Sequence, residues 1–207
     1  MWNNQTDAVG YQSSQQLQPT MNHGAHEIFD VQETLKTLIG AQNHFTFWKN
    51  QIKDSKLKEV AEKQHTYLID TYNTVVESFQ TGLAPNKATY PYEMKLVHDY
   101  VYGIKQQTPL SPMESPNAVN DAFISSVLLS AVKACATHAT TAALECTNPV
   151  VRRVLADSVP NFIELGYELA IYQNQNHIYQ VPLLQQTDAD MITQGFQPAS
   201  KIGLPMN

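Results

Sequence analysis

A shift of 94 residues lays the second half of this chain over the first. His44 falls on His138, Thr46 on Thr140, Asp54 on Asn148, Leu57 on Val151, Val60 on Val154, Leu68 on Phe162 and Val75 on Leu169. Turn residue, cap residue and apolar stripe coincide together, which is how one supersecondary unit used twice reads in a sequence. Each copy is a pair of helical segments. In the first, Ile28, Val31, Leu35, Leu38, Gln42, Phe45 and Ile52 alternate at three and four residues, and Leu57, Ala61, Gln64, Leu68, Thr71 and Val75 do the same in the second. That spacing puts them on one helix face.

The repeat predicts helices at about 26–51, 55–80, 117–147 and 149–179, with Asp54 and Asn148 as N-caps, Pro149 at a first helical position and Gly82 as a C-terminal stop. Pro160 lies inside the last segment and is expected to kink or break it. The third segment has only Asp121, Lys133 and Glu145 charged, so it is expected to be buried on most sides. Segment 82–116 carries Pro85, Pro91, Pro109, Pro112 and Pro116 and cannot be one long helix. Met94, Val97, Val101 and Ile104 predict a short helix over about 92–106 within it. Two helical hairpins joined by such a crossover make an all-α, ferritin-like four-helix bundle over residues 26–180. Residues 1–25, rich in Gln and Asn and without Lys or Arg, read as a disordered tail, and 181–207 as an extended arm.

Composition narrows the partners. With 13 basic against 19 acidic residues the formal charge is -6, and no basic run offers a footprint for nucleic acid or an anionic membrane. No secretory signal is evident, and no apolar run approaches the ~20 residues a bilayer span needs, so a cytosolic origin without membrane insertion is expected. Cys135 and Cys146 lie 11 residues apart on one helix, too far to bridge, and read as buried thiols in a reducing compartment.

Metal chemistry is the sharpest alternative. Di-iron bundles use Glu-x-x-His pairs on two helices, and Glu62 and His65 have that spacing. Their counterparts in the repeat are Ala156 and Val159, so a second pair is missing. With a tight turn at 51–54, Glu62 faces Gln42 and His65 faces Ile39, and the carboxylates of Glu27 and Glu33 lie roughly 9–18 Å along the axis from His65. In that register Gln42 and Gln64 pair as a polar layer, and Glu62 and His65 sit at a partly solvated flank. His138 is expected to be buried against Asp157. No phosphate loop, nucleophile elbow or metal-spaced Cys/His cluster is present, so no catalytic, cofactor-binding or metal residue is assigned and no cofactor is expected.

Residues 120–182 carry an early Asp121, an apolar helix, a turn of Glu145, Cys146, Asn148, Pro149, Val151 and Arg152, and an ending at Tyr179, Val181 and Pro182. This stretch resembles the coat F-like spore coat protein family. The first hairpin, with Glu27 near its start and Asp54-Ser55-Lys56-Leu57-Lys58 at its turn, is similar to that family's N-terminal half, so the resemblance spans about residues 24–182. It implies a ferritin-like bundle without a metal centre, made in the mother-cell cytoplasm and deposited in the spore coat. Partners would be other coat proteins or the chain itself, as a possible homo-oligomer. Tyr90, Tyr92, Tyr100 and Tyr102, with the Gln-rich tail, are candidate contact or crosslinking positions in such a shell. The alternatives are a ferritin-like metal-binding or redox protein with a degenerate site, and an interaction module working through its tails.

Overall fold

The computed structural model describes residues 13–199. Among them there is no β-strand, only one isolated parallel bridge between Tyr102 and Val181. Four long helices carry the fold: α1 (Ala25–Trp48), α2 (Ser55–Thr81), α3 (Asp121–Glu145) and α4 (Pro149–Gln175), followed by the short α5 (Gln186–Thr193). The predicted caps form. Asp54 accepts from the amides of Lys56 and Leu57, Asn148 from those of Val150 and Val151, and Gly82 ends α2 in the left-handed region at φ 66°.

Packing runs α1 on α2, α1 on α3, α3 on α4 and α2 on α4. One apolar cluster fills the space between the four, including Val31, Leu38, Phe45, Leu57, Leu68, Ile124, Leu128, Val132, Leu155, Phe162, Leu165 and Leu169. Each fully buried Leu or Phe among them is worth about 1.5–3 kcal/mol relative to exposure. The segment after α2 must travel back the whole length of these helices, because α3 starts at the α1–α2 turn: Asp121 accepts the amides of Lys53 and Asp54.

Several expectations are corrected. Residues 92–106 form no helix. Their amides are taken by α4 side chains: Tyr92 N–H donates to Asn161 Oδ1 at 2.8 Å, Lys95 and Leu96 N–H to Glu168 Oε1, and Val101 N–H to Asn174 Oδ1 at 2.6 Å. An amide spent on another element cannot bond the carbonyl four residues back. Met94 and Leu96 still pack on the core, while Val97 and Ile104 are exposed.

Pro160 does not break α4, which is continuous from Pro149 to Gln175. It lies on the solvent side of the helix, where water can satisfy the carbonyl its missing N–H leaves free. Helix α4 stops four residues short of the predicted end, with His177 at φ 59° and the amides of Ile178 and Tyr179 turned back onto Gln173 O. Helix α3 starts at Asp121, with Asn120 as cap, rather than at Asn117. By length and composition α3 is apolar enough to cross a membrane, at mean hydropathy 1.4, contrary to the expected lack of such a run. In this fold its Ile124, Leu128, Val132 and Cys135 face the other helices. It is not buried on most sides either. Ser126, Thr137, Thr140 and Thr141 point outward and return their hydroxyl protons to carbonyls four residues back.

Residues 13–24 are not a free tail. A 3-10 turn at Pro19–Met21 packs on α2, and Gly24 N–H donates to Thr147 Oγ1 at 2.8 Å. Residues 1–12 of the proposed tail, and 200–207 of the proposed arm, lie outside the described residues. The described part of that arm is not simply extended, since it contains α5.

Two glycines separate backbone freedom from available space. At Gly82 a Cβ would meet Pro19 O at 2.1 Å on a backbone already at positive φ, whereas at Gly40, inside α1, nothing lies within 4 Å. Gly82→Ala is expected to destabilise by more than about 1 kcal/mol and to loosen residues 13–24, while Gly40→Ala stabilises by about 0.5–1 kcal/mol. Chemical denaturation of the two variants, with limited proteolysis of the first, measures both.

Candidate functional site

The features with most chemical interest are carboxylates that take backbone amides, two fully buried and one, Asp121, half-buried at a helix end. Two of them form a matched pair. Glu27, in the first turn of α1, is fully buried, and its Oε2 accepts from Thr147 N at 2.8 Å, Thr147 Oγ1 at 2.8 Å and Asn148 N at 2.9 Å. Its Oε1 meets His23 Nδ1 at 2.6 Å. Asp121, the first residue of α3, grips the other turn: Oδ1 accepts from Lys53 N and Oδ2 from Asp54 N, both at 2.9 Å. The 94-residue shift carries Glu27 onto Asp121 and Lys53-Asp54 onto Thr147-Asn148. Each half therefore holds the other's turn with its leading carboxylate, a relation the sequence reading did not draw although the repeat contained it. Burial pushes the Glu27 carboxyl up. The hydrogen bonds from Asn148, His23 and Thr147 outweigh it and leave the group below its ordinary range.

A third carboxylate, Glu168 of α4, is fully buried and was also missed. Its Oε2 accepts from Gln64 Nε2 at 3.0 Å and from Tyr92 OH at 2.5 Å, and its Oε1 from the amides of Lys95 and Leu96. Gln64 also donates to Leu165 O at 3.0 Å. The layer around Gln64 is therefore a Gln–Glu–Tyr cluster joining α2, α4 and the crossover, not the expected Gln42–Gln64 pair. Gln42 instead reaches Leu68 O at 3.5 Å, and Phe45 stacks on His65 with ring centroids 6.1 Å apart. Partners on α1 and α2 thus lie six positions further along than expected, because Lys49–Asp54 carries the chain on past the end of α1 before α2 starts.

Glu62 is exposed, and His65 is half-buried with Nε2 3.2 Å from Thr46 Oγ1. Burial, then the nearby Lys49, lowers the His65 pKa. Among the described residues no three of His, Cys, Asp and Glu gather closely enough to hold a metal ion. His138 is exposed rather than buried, and Asp157 pairs with Arg153 instead. This corrects the expected His138–Asp157 contact: the core stripe of α3 runs through Val132, Cys135, Ala139 and Ala142, and His138 falls beside it on the exposed face.

The tyrosines separate by environment. Tyr92 is buried on Glu168, Tyr90 donates to Asp70 at 2.8 Å, Tyr100 stacks on Tyr167, and Tyr102 is 61% exposed. Cys135 and Cys146 are free and buried, and burial pushes both thiols up to about 12.

The Coat F domain matches residues 120–182. "Spore coat protein F-like protein YhcQ" of Bacillus subtilis (strain 168) is 37% identical over 198 residues, 91% of each chain. No solved structure matches.

Removing a leading carboxylate strands two amides, each costing about 1–3 kcal/mol when buried and unpaired. Glu27→Ala is therefore expected to lower the unfolding free energy by about 2–4 kcal/mol in a urea titration. Because the folded pKa of Glu27 lies below its unfolded value, the unfolded chain takes up the proton first, and stability falls as pH drops below about 4.5. Glu27→Gln should flatten that acid limb. The two thiols should resist a disulfide reagent at pH 8 in the native protein and react fully after denaturation.

Proposed function

The chain belongs to the coat F family of spore coat proteins, and from that membership we propose that it is a non-catalytic structural part of the endospore coat, made in the mother-cell cytoplasm and then deposited there. The fold proposed for it is the ferritin-like four-helix bundle, two hairpins joined by a crossover, with no catalytic, cofactor or metal residues. One observation carries this reading. Three carboxylates, the buried Glu27 and Glu168 and the half-buried Asp121, spend their oxygens on donors of the protein itself. They fasten helix ends and crossover, and present no free pair of oxygens toward a cleft. A redox reading would need carboxylates on the core faces of both α3 and α4, and the core face of α3 carries Val132, Cys135, Ala139 and Ala142 instead. Other coat proteins are the proposed partners. If tyrosines join chains in that shell, exposure assigns the role first to Tyr102 and excludes the buried Tyr92.

A fluorescent fusion followed through sporulation tests the assignment. The expected signal is diffuse in the mother cell early and a rim on the mature spore later. Signal that stays diffuse would contradict coat deposition. Purified protein is expected to carry far less than stoichiometric iron or manganese by elemental analysis.

A further inference from the structure

The strongest unexplained feature is at the end of the described chain. The chain is held firmly up to Val181. Asn174 Nδ2 donates to Tyr179 O at 3.1 Å, Gln180 Nε2 to Lys105 O at 3.0 Å, and Gly103 N–H to Val181 O at 2.8 Å. Beyond that root, residues 182–199 are exposed except for a half-buried Ala189. They nevertheless contain a formed helix, α5, and five large apolar side chains: Leu183, Leu184, Met191 (68% exposed), Ile192 and Phe196 (82% exposed). A two-turn helix is not stable alone in water, and apolar side chains concentrated in one short arm mark a surface meant to be covered.

A groove opens beside the arm's root. It encloses about 820 Å³ between crossover residues 106–113, the start of α3 and the end of α4, and its walls include Leu110, Met113, Phe123, Gln173 and Tyr179. Leu110 is 94% exposed there. Among the described residues no carboxylate lines the groove, although the chain as a whole is acidic. The arm's only charges among its described residues are Asp188 and Asp190. It therefore meets no like charge from the described groove residues, and Lys105 precedes the wall residue Gln106 in the chain. The arm of the same chain is already a formed helix outside this groove.

We propose that the groove takes the α5 arm of a second copy of this chain, and that the second copy's groove takes the first arm. Every copy owns one arm and one groove, so mutual exchange satisfies both at once and closes a two-fold dimer with no arm left over. The coat assignment stands or falls separately, because this pairing is a property of the purified chain.

Light scattering on the full chain at micromolar concentration should give the mass of two chains. The double variant Met191→Asp/Ile192→Asp and the groove variant Leu110→Asp should each weaken dimerisation at least tenfold with unchanged helical circular dichroism. Mixing a Met191→Cys chain with a Leu110→Cys chain under oxidation should yield a disulfide between chains, the native thiols being buried. A single-chain mass throughout, a dimer indifferent to these substitutions, or a disulfide within one chain in the Met191→Cys/Leu110→Cys double variant would each overturn the proposal.

Discussion

The arrangement depends on one exchanged interaction: the carboxylate that opens each half of the chain takes the backbone amides of the turn in the other half. A turn between two helices leaves amides without partners where the second helix starts. Capping by Asp54 and Asn148 satisfies the amides inside each second helix, but the turn's own N–H groups remain. Glu27 supplies acceptors for Thr147 and Asn148, and Asp121 for Lys53 and Asp54. Because each acceptor comes from the opposite half, neither hairpin is complete by itself. The exchange sets α1 against α3 with opposite directions, and so obliges the segment between the halves to run the full length of the bundle.

That obligation explains the polar residues of α4. An extended chain crossing a helical surface brings its own unpaired amides with it, and burying them unmet costs about as much as a lost hydrogen bond each. Asn161, Glu168 and Asn174 stand along α4 to receive them at Tyr92, at Lys95 and Leu96, and at Val101. Glu168 is tied to α2 as well through Gln64. The same carboxylate thus holds the crossover down and joins two helices beneath it.

Local chemistry was readable from sequence, and exchanged chemistry was not. The caps at Asp54 and Asn148, the stop at Gly82 and the apolar stripes depend on neighbours within a turn or two, so four helices and most core positions follow from spacing. Glu168 lies between Leu165 and Leu169 and reads as a solvated flank, since the amides that bury it are more than 70 residues away. Residues 92–106 have a helical apolar spacing that tertiary hydrogen bonds override. Glu27 and Asp121 were within reach: the shift that aligns Asp54 with Asn148 also aligns these two acids. An acidic residue kept at both first turns is a signal that helix propensity alone does not require, although the macrodipole favours it.

The fate of the interior acids also decides how the Glu62–His65 spacing should be understood. A bundle that binds ions keeps carboxylate oxygens aimed at a shared point, unpaired until the ion arrives. Here the acids are spread over both ends and one flank of the core, and each is already met by peptide N–H, hydroxyl or amide groups. An ion entering at Glu168 would have to detach Lys95 and Leu96 and release the crossover. One entering at Glu27 would free the α3–α4 turn. Binding of that kind would oppose the fold rather than complete it, whereas the outer face of Glu62 and His65 holds one carboxylate and one imidazole with no third ligand beside them among the described residues.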